Sequence, residues 1–155
     1  MRWSIGGRGL ATAATANHVL AQLWNPSSTV PIFVTGVSLA QTGAVVSNSN
    51  LTRSSARGAT PTSTKTPTIA SDWERKIIPP SVSVLELATF ATQPTLDGEP
   101  LFKWNEAATI GAGFIVPFET KDIPGIKILP GAGLCISTPV AVIHQVADVT
   151  FFVFE

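Results

Sequence analysis

The sequence predicts an all-β fold: an antiparallel β-sandwich, jelly-roll-like, with about eight to ten short strands and an extended N-terminal arm. Three observations predict it. Apolar, β-branched runs of strand length recur between turn signals such as Asn25-Pro26, Pro124-Gly125 and Pro130-Gly131. No segment carries the pattern of a long helix, and the Ala/Glu/Lys/Leu richness of a helical bundle is missing. Charged residues make up 13% of the 155 positions, about half the usual ~25%, and ten Lys+Arg balance ten Asp+Glu.

Residues 1–17 read as a small-residue N-terminal arm, and 18–155 as a single β-sandwich domain. Trp3 and Ile5 are the large apolar groups before Leu10. Ala14-Thr15-Ala16 follows Arg2 and Arg8 in the manner of a signal-peptide cleavage site. Gly6, Gly7 and Gly9 interrupt the apolar region, so an arm is the expectation. A strand follows over 18–24, and Asn25-Pro26-Ser27-Ser28 turns the chain. The run Val30 to Leu39 is the next strand. A short strand is expected within 41–49 around Val45-Val46, and a strand edge over 51–56.

From Gly58 to Ser71 the chain is Thr-rich, with Pro61 and Pro67 removing two ladder donors, and a long exposed loop is expected. Asp72-Trp73-Glu74-Arg75-Lys76 is the densest charge cluster. Ser81 to Val84 alternates cleanly. The apolar parity changes at Leu85, which predicts a β-bulge or a strand buried on both faces. Leu96 to Pro100 reads as a turn, and Leu101 to Trp104 as a short strand. Gly111-Ala112-Gly113 and Gly131-Ala132-Gly133 each open an apolar strand, with a short strand over Ile126–Leu129 between them. Pro139–Gln145 and Val149–Glu155 complete the set.

Several strands carry apolar residues on both faces. Val149, Phe151 and Val153 alternate with Phe152 and Phe154. Ile32 and Val34 share one face of their strand, and Phe33, Val37 and Leu39 the other. No helix is available to cover an outer sheet face. Either long loops fold back over it, or it is an interface. The low charge favours a symmetric oligomer, because charged residues are depleted at interface cores.

The search for chemistry excludes most classes. A neutral chain lacks the clustered Lys/Arg that phosphate binding needs, so no nucleic-acid partner is expected. No run of about 18 apolar residues suggests a membrane helix, so no membrane partner is expected. His18 and His144 lie in no metal-ligand spacing, and one cysteine builds neither a disulfide nor a zinc site. Cys135 sits between Leu134 and Ile136 and reads as a small buried hydrophobe. No nucleophile elbow or phosphate-binding loop is present, and Val116 and Ile136 stand where a dinucleotide fingerprint has its third glycine. Asp72/Glu74 and Asp97/Glu99 sit in turn-like, solvated segments. No enzyme activity, cofactor or metal is therefore expected. Trp24, Trp73 and Trp104 could stack on sugars or simply fill the core. Asn50-Leu51-Thr52 is a glycosylation sequon by pattern only.

The chain resembles the small β-sandwich proteins that decorate the capsids of tailed bacteriophages. The resembling features are the small-residue stretch leading into His18-Val19-Leu20-Ala21-Gln22-Leu23-Trp24-Asn25-Pro26, the segment Leu51-Thr52-Arg53-Ser54-Ser55-Ala56-Arg57-Gly58, the Pro-Gly turns, and the closing Val149-Thr150-Phe151-Phe152-Val153-Phe154-Glu155. The likeness covers most of the chain and lies in layout, not in one motif. The layout is also similar to the trimeric jelly rolls of tumour-necrosis-factor-like and complement-type heads, whose cores use Tyr richly; this chain has none. The decoration resemblance implies a homotrimer on the capsid surface, bound to the major capsid protein lattice and made in the host cytoplasm. Its arm would anchor through Arg2, Trp3 and Arg8, with Phe152 and Phe154 as further interface residues. The alternative is a carbohydrate- or receptor-binding jelly roll of a virion fibre or secreted trimer.

Overall fold

The structure, a computed structural model, describes residues 2–11, 18–43, 47–66, 83–87, 89–106, 109–111, 113–139 and 145–154. Among these the chain is all-β. Its strands are β1 (Arg2–Ala11), β2 (His18–Trp24), β3 (Ile32–Gln41), β4 (Ser47–Ala56), β5 (Ser63–Lys65), β6 (Val84–Leu87), β7 (Thr95–Glu106), β8 (Gly113–Pro117), β9 (Ile126–Ile128), β10 (Gly133–Thr138) and β11 (Gln145–Phe154).

They form two antiparallel sheets packed face to face. The first runs β1-β11-β3-β8, with β9 beside β8 on the same edge of β3, and the second runs β5-β6-β2-β10-β4-β7. Pairing mirrors the chain about its middle: β1 with β11, β2 with β10, β3 with β8 and β9, β4 with β7. A long hairpin wound over two sheets gives this order, which is the jelly-roll arrangement. The β5–β6 pair extends the second sheet beyond β2.

The core lies between the sheets. Ile32, Val34, Val37, Leu39, Val149, Phe151 and Val153 reach in from the first sheet, and Leu20, Leu23, Leu51, Leu85, Leu87, Leu134 and Ile136 from the second. On the open side between β7 and β8, aromatic rings close the gap. Trp104 stacks on Phe114 at 4.6 Å, and Phe102 tilts against Phe118 at 5.0 Å.

The strands expected over 18–24, 113–116, 126–129 and 133–136 are present, and several other expectations need correction. Residues 2–11 are not a separate arm but a full outer strand, in register from Arg2↔Phe154 to Ala11↔Gln145. Their glycines serve close packing. A Cβ on Gly9 would meet the Leu20 carbonyl oxygen at 2.8 Å, because β1 lies directly against the second sheet there.

In β3 the inward parity switches. Val34 pairs with Val153 but Gly36 with Phe152, so one extra residue is accommodated and Val34 and Val37 both point inward. Val37 and Leu39 therefore join the core and leave Phe33 outside. The segment 41–49 holds the end of β3 and the start of β4, while Val45 and Val46 lie outside the described residues. The expected edge over 51–56 is a central strand, flanked by β10 and β7. The expected loop 58–71 contains β5, and its residues beyond 66 lie outside the described ones.

The expected turn at 96–100 is a bulge within one long strand. Arg53 pairs with Asp97 and Leu51 with Phe102, so residues 98–101 arch away from the ladder, with Gly98 at φ +73°. At β6 both readings of the parity change meet in part: Leu85 and Leu87 enter the core while Glu86 is buried on the opposite face. The strand expected over 139–145 lies mostly outside the described residues.

Candidate functional site

The outer faces of the two sheets differ. That of the second sheet is roofed by the chain itself. Residues 57–62 and 89–94 cross it, joined by the Ala59–Thr92 bridge, and the Gly58 amide donates to Gln22 Oε1 at 2.9 Å. Phe90 packs there on Val19 and Cys135. The outer face of the first sheet has no such cover among the described residues. Phe33 and Phe154 touch at 6.3 Å between ring centres, Phe152 lies over Gly36, and Ile115 is 71% exposed. Ser38 and Thr150 make the middle of this face small and flat.

The residues expected at an interface divide by strand parity. Arg8, Phe152 and Phe154 share this open face. Arg2 occupies the register position opposite Phe154. Trp3 does not join them: it lies opposite Val153 on the core-facing side, and its Nε1 is buried without a hydrogen-bond partner among the described residues. Ile115 belongs to the face although no local signal marks it, and Phe33, expected on an apolar face with Val37 and Leu39, joins it without them. Phe33 becomes a neighbour of Phe154 only through the pairing of β3 with β11.

The face has a two-pronged ion pair. Arg8 Nε donates to Asp148 Oδ1 at 2.9 Å and Nη2 to Oδ2 at 3.2 Å. The Arg8 hydrogen bond holds the Asp148 carboxyl below the usual carboxylate range, with slight burial opposing it and the charges of Arg8 and Lys65 assisting. The guanidinium is raised in return. The two charges thus cancel across neighbouring strands, and the pair is solvent-exposed, where such contacts stabilise little.

Beneath the roof of the second sheet lies a buried polar cluster. Gln22 Nε2 donates to Ser54 Oγ at 2.8 Å and to the Ala56 carbonyl at 3.1 Å. Arg57 Nε donates to Glu86 Oε1 at 2.6 Å, and the Glu86 side chain is fully buried. Cys135 sits among them. Burial pushes its thiol up to about 12, with a Ser54 hydrogen bond opposing and the Glu86 charge adding. Such a thiol holds almost no thiolate at neutral pH and cannot act as a nucleophile. The folded protein is expected to resist iodoacetamide at about pH 8, while the unfolded protein is alkylated quickly. Equal rates in the two states would show that Cys135 is not covered.

The other candidates are structural. His18 is buried, its Nε2 has no partner among the described residues, and desolvation lowers its pKa, so it stays neutral. Trp104 already stacks on Phe114, and Trp24 is half-buried at the end of β2. Asn50 of the sequon is 6% exposed and sits inside a paired central strand, not on a free loop. Trp73, His144 and the cluster 72–76 lie outside the described residues. Among the described residues no three His, Cys, Asp or Glu gather as a metal site, and no helix is long and apolar enough to cross a membrane. Comparison with family models, curated proteins and solved structures finds no match. Fold and site therefore define a β-sandwich with one sheet face covered by its own loops and the other uncovered among the described residues.

Proposed function

We propose that this chain is a structural subunit of a virion, a capsid decoration protein that assembles as a symmetric trimer and docks on the major capsid protein lattice. The observation that carries the reading is the asymmetry of the sandwich. Two loops roof one sheet, yet no described segment crosses the other, where Phe154 is exposed and Phe33 and Phe152 are half-buried. Apolar groups gathered on a flat face, where Arg8 and Asp148 neutralise each other, suit protein contact. The buried thiol of Cys135 and carboxylate of Glu86 are walled off from any substrate, which supports binding over catalysis.

Light scattering of the purified chain is expected to give the mass of a trimer. A Phe152→Ser/Phe154→Ser variant is expected to run as a folded monomer and to stop co-sedimenting with capsid particles. A wild-type monomer that leaves particles undecorated would overturn the proposal, as would a variant that assembles and binds unchanged.

A further inference from the structure

The bulge in β7 builds a second feature on the opposite side of the sandwich. Asn50 and Thr52 project from β4 on the face away from the core, alongside Ser137 and Cys135 of β10. They are only 6% and 2% exposed. Residues 98–100 arch beside them and border an open depression of about 390 Å³. Leu96 and Pro100 form its apolar wall, and Glu99 and Lys103 stand at its rim.

The floor has unused hydrogen-bonding capacity. Among the described residues neither the Asn50 amide nor the Thr52 hydroxyl makes a side-chain hydrogen bond, and both open into the depression. Polar groups that are nearly covered and have no protein partner are completed by water or by a ligand. An amide offers both donor and acceptor, a hydroxyl likewise, a carboxylate accepts, and an ammonium donates. That mixture matches adjacent hydroxyl groups. The single carboxylate and single ammonium cancel, so neither an anion nor a cation is favoured over a neutral ligand. The volume lies near the lower end of small-molecule sites, about 300–1,000 Å³. Leu96 and Pro100 supply a surface for the C–H face of a ring.

We propose that this depression binds a neutral polyhydroxylated ligand, one monosaccharide unit in size. The site stands apart from the open sheet face, so it does not depend on the docking reading.

The test is titration of the full ¹⁵N-labelled chain with glucose, galactose, mannose and N-acetylglucosamine. At least one is expected to shift the Gly98 and Lys103 amides and the Asn50 side-chain amide saturably. Lys103→Met removes an exposed rim donor without touching the core, and is expected to weaken binding about tenfold. Asn50→Leu is expected to abolish it. No saturable shift with any of the four sugars, meaning water alone fills the site, would overturn the proposal. So would a Lys103→Met variant that binds as tightly as the wild type.

Discussion

Phe151→Ala is expected to destabilise the protein by about 3–5 kcal/mol, whereas Phe152→Ala, one residue on, costs about 1 kcal/mol or less. The two side chains are identical and adjacent, but a strand sends them to opposite faces. Phe151 is fully buried between the sheets, among Val149, Val153 and Ile5. Truncation there loses both the transfer free energy and the packing around the void, because neighbouring strands held by two ladders cannot collapse inward. Phe152 stands on the open face, and in the isolated chain its ring is partly hydrated already. The melting temperature of Phe151→Ala should fall on the order of 10 °C, since a domain of this size loses ~2–4 °C per kcal/mol. Equal losses for the two variants, measured by urea unfolding at a concentration where the chain is monomeric, would refute the parity assigned to β11.

Arg57→Ala is expected to cost about 2–4 kcal/mol, far more than an exposed arginine normally does. Its partner Glu86 is fully buried, and Glu86 Oε2 has no hydrogen bond among the described residues. Removing the guanidinium leaves a carboxylate enclosed beneath the roof without a counter-charge, and desolvation is then uncompensated. The figure sits below that of a wholly buried pair because Arg57 itself is 46% exposed and water screens its charge. Adding Glu86→Gln should restore part of the loss, giving a coupling energy of at least about 1 kcal/mol in the double-mutant cycle. A single-variant loss under about 0.5 kcal/mol would mean that Glu86 is hydrated and the roof is open.

Local pattern made much of the fold legible. The β-branched runs and Pro-Gly turns located β2, most of β3, β8, β9, β10 and the end of β11, because strand propensity and turn chemistry act over a few residues. The burial of Cys135 followed from its two apolar neighbours. The bulges were less legible. At Val34–Val37 a single extra residue reverses which side chains face inward, and the cause lies in the partner strand. At 98–101 a turn-forming sequence stays inside one strand because both flanks pair with β4. The glycines of β1 suggest an arm and are instead sites of close contact, a distinction that for Gly9 depends on Leu20 of another sheet.

The candidate site was legible in part. Alternation alone placed Phe152 and Phe154 on one face of the closing strand. It could not say that Phe33 joins them, that Arg8 pairs with Asp148, or that Trp3 turns toward the core. The sequence by itself determined the strand content, the low and balanced charge and the two-faced apolar pattern, since these depend on residue identity and a period of two. The tertiary structure alone decided which face is covered. Register and bulges are set by contacts between residues over a hundred positions apart, as with Arg8 and Asp148, and no local propensity encodes them.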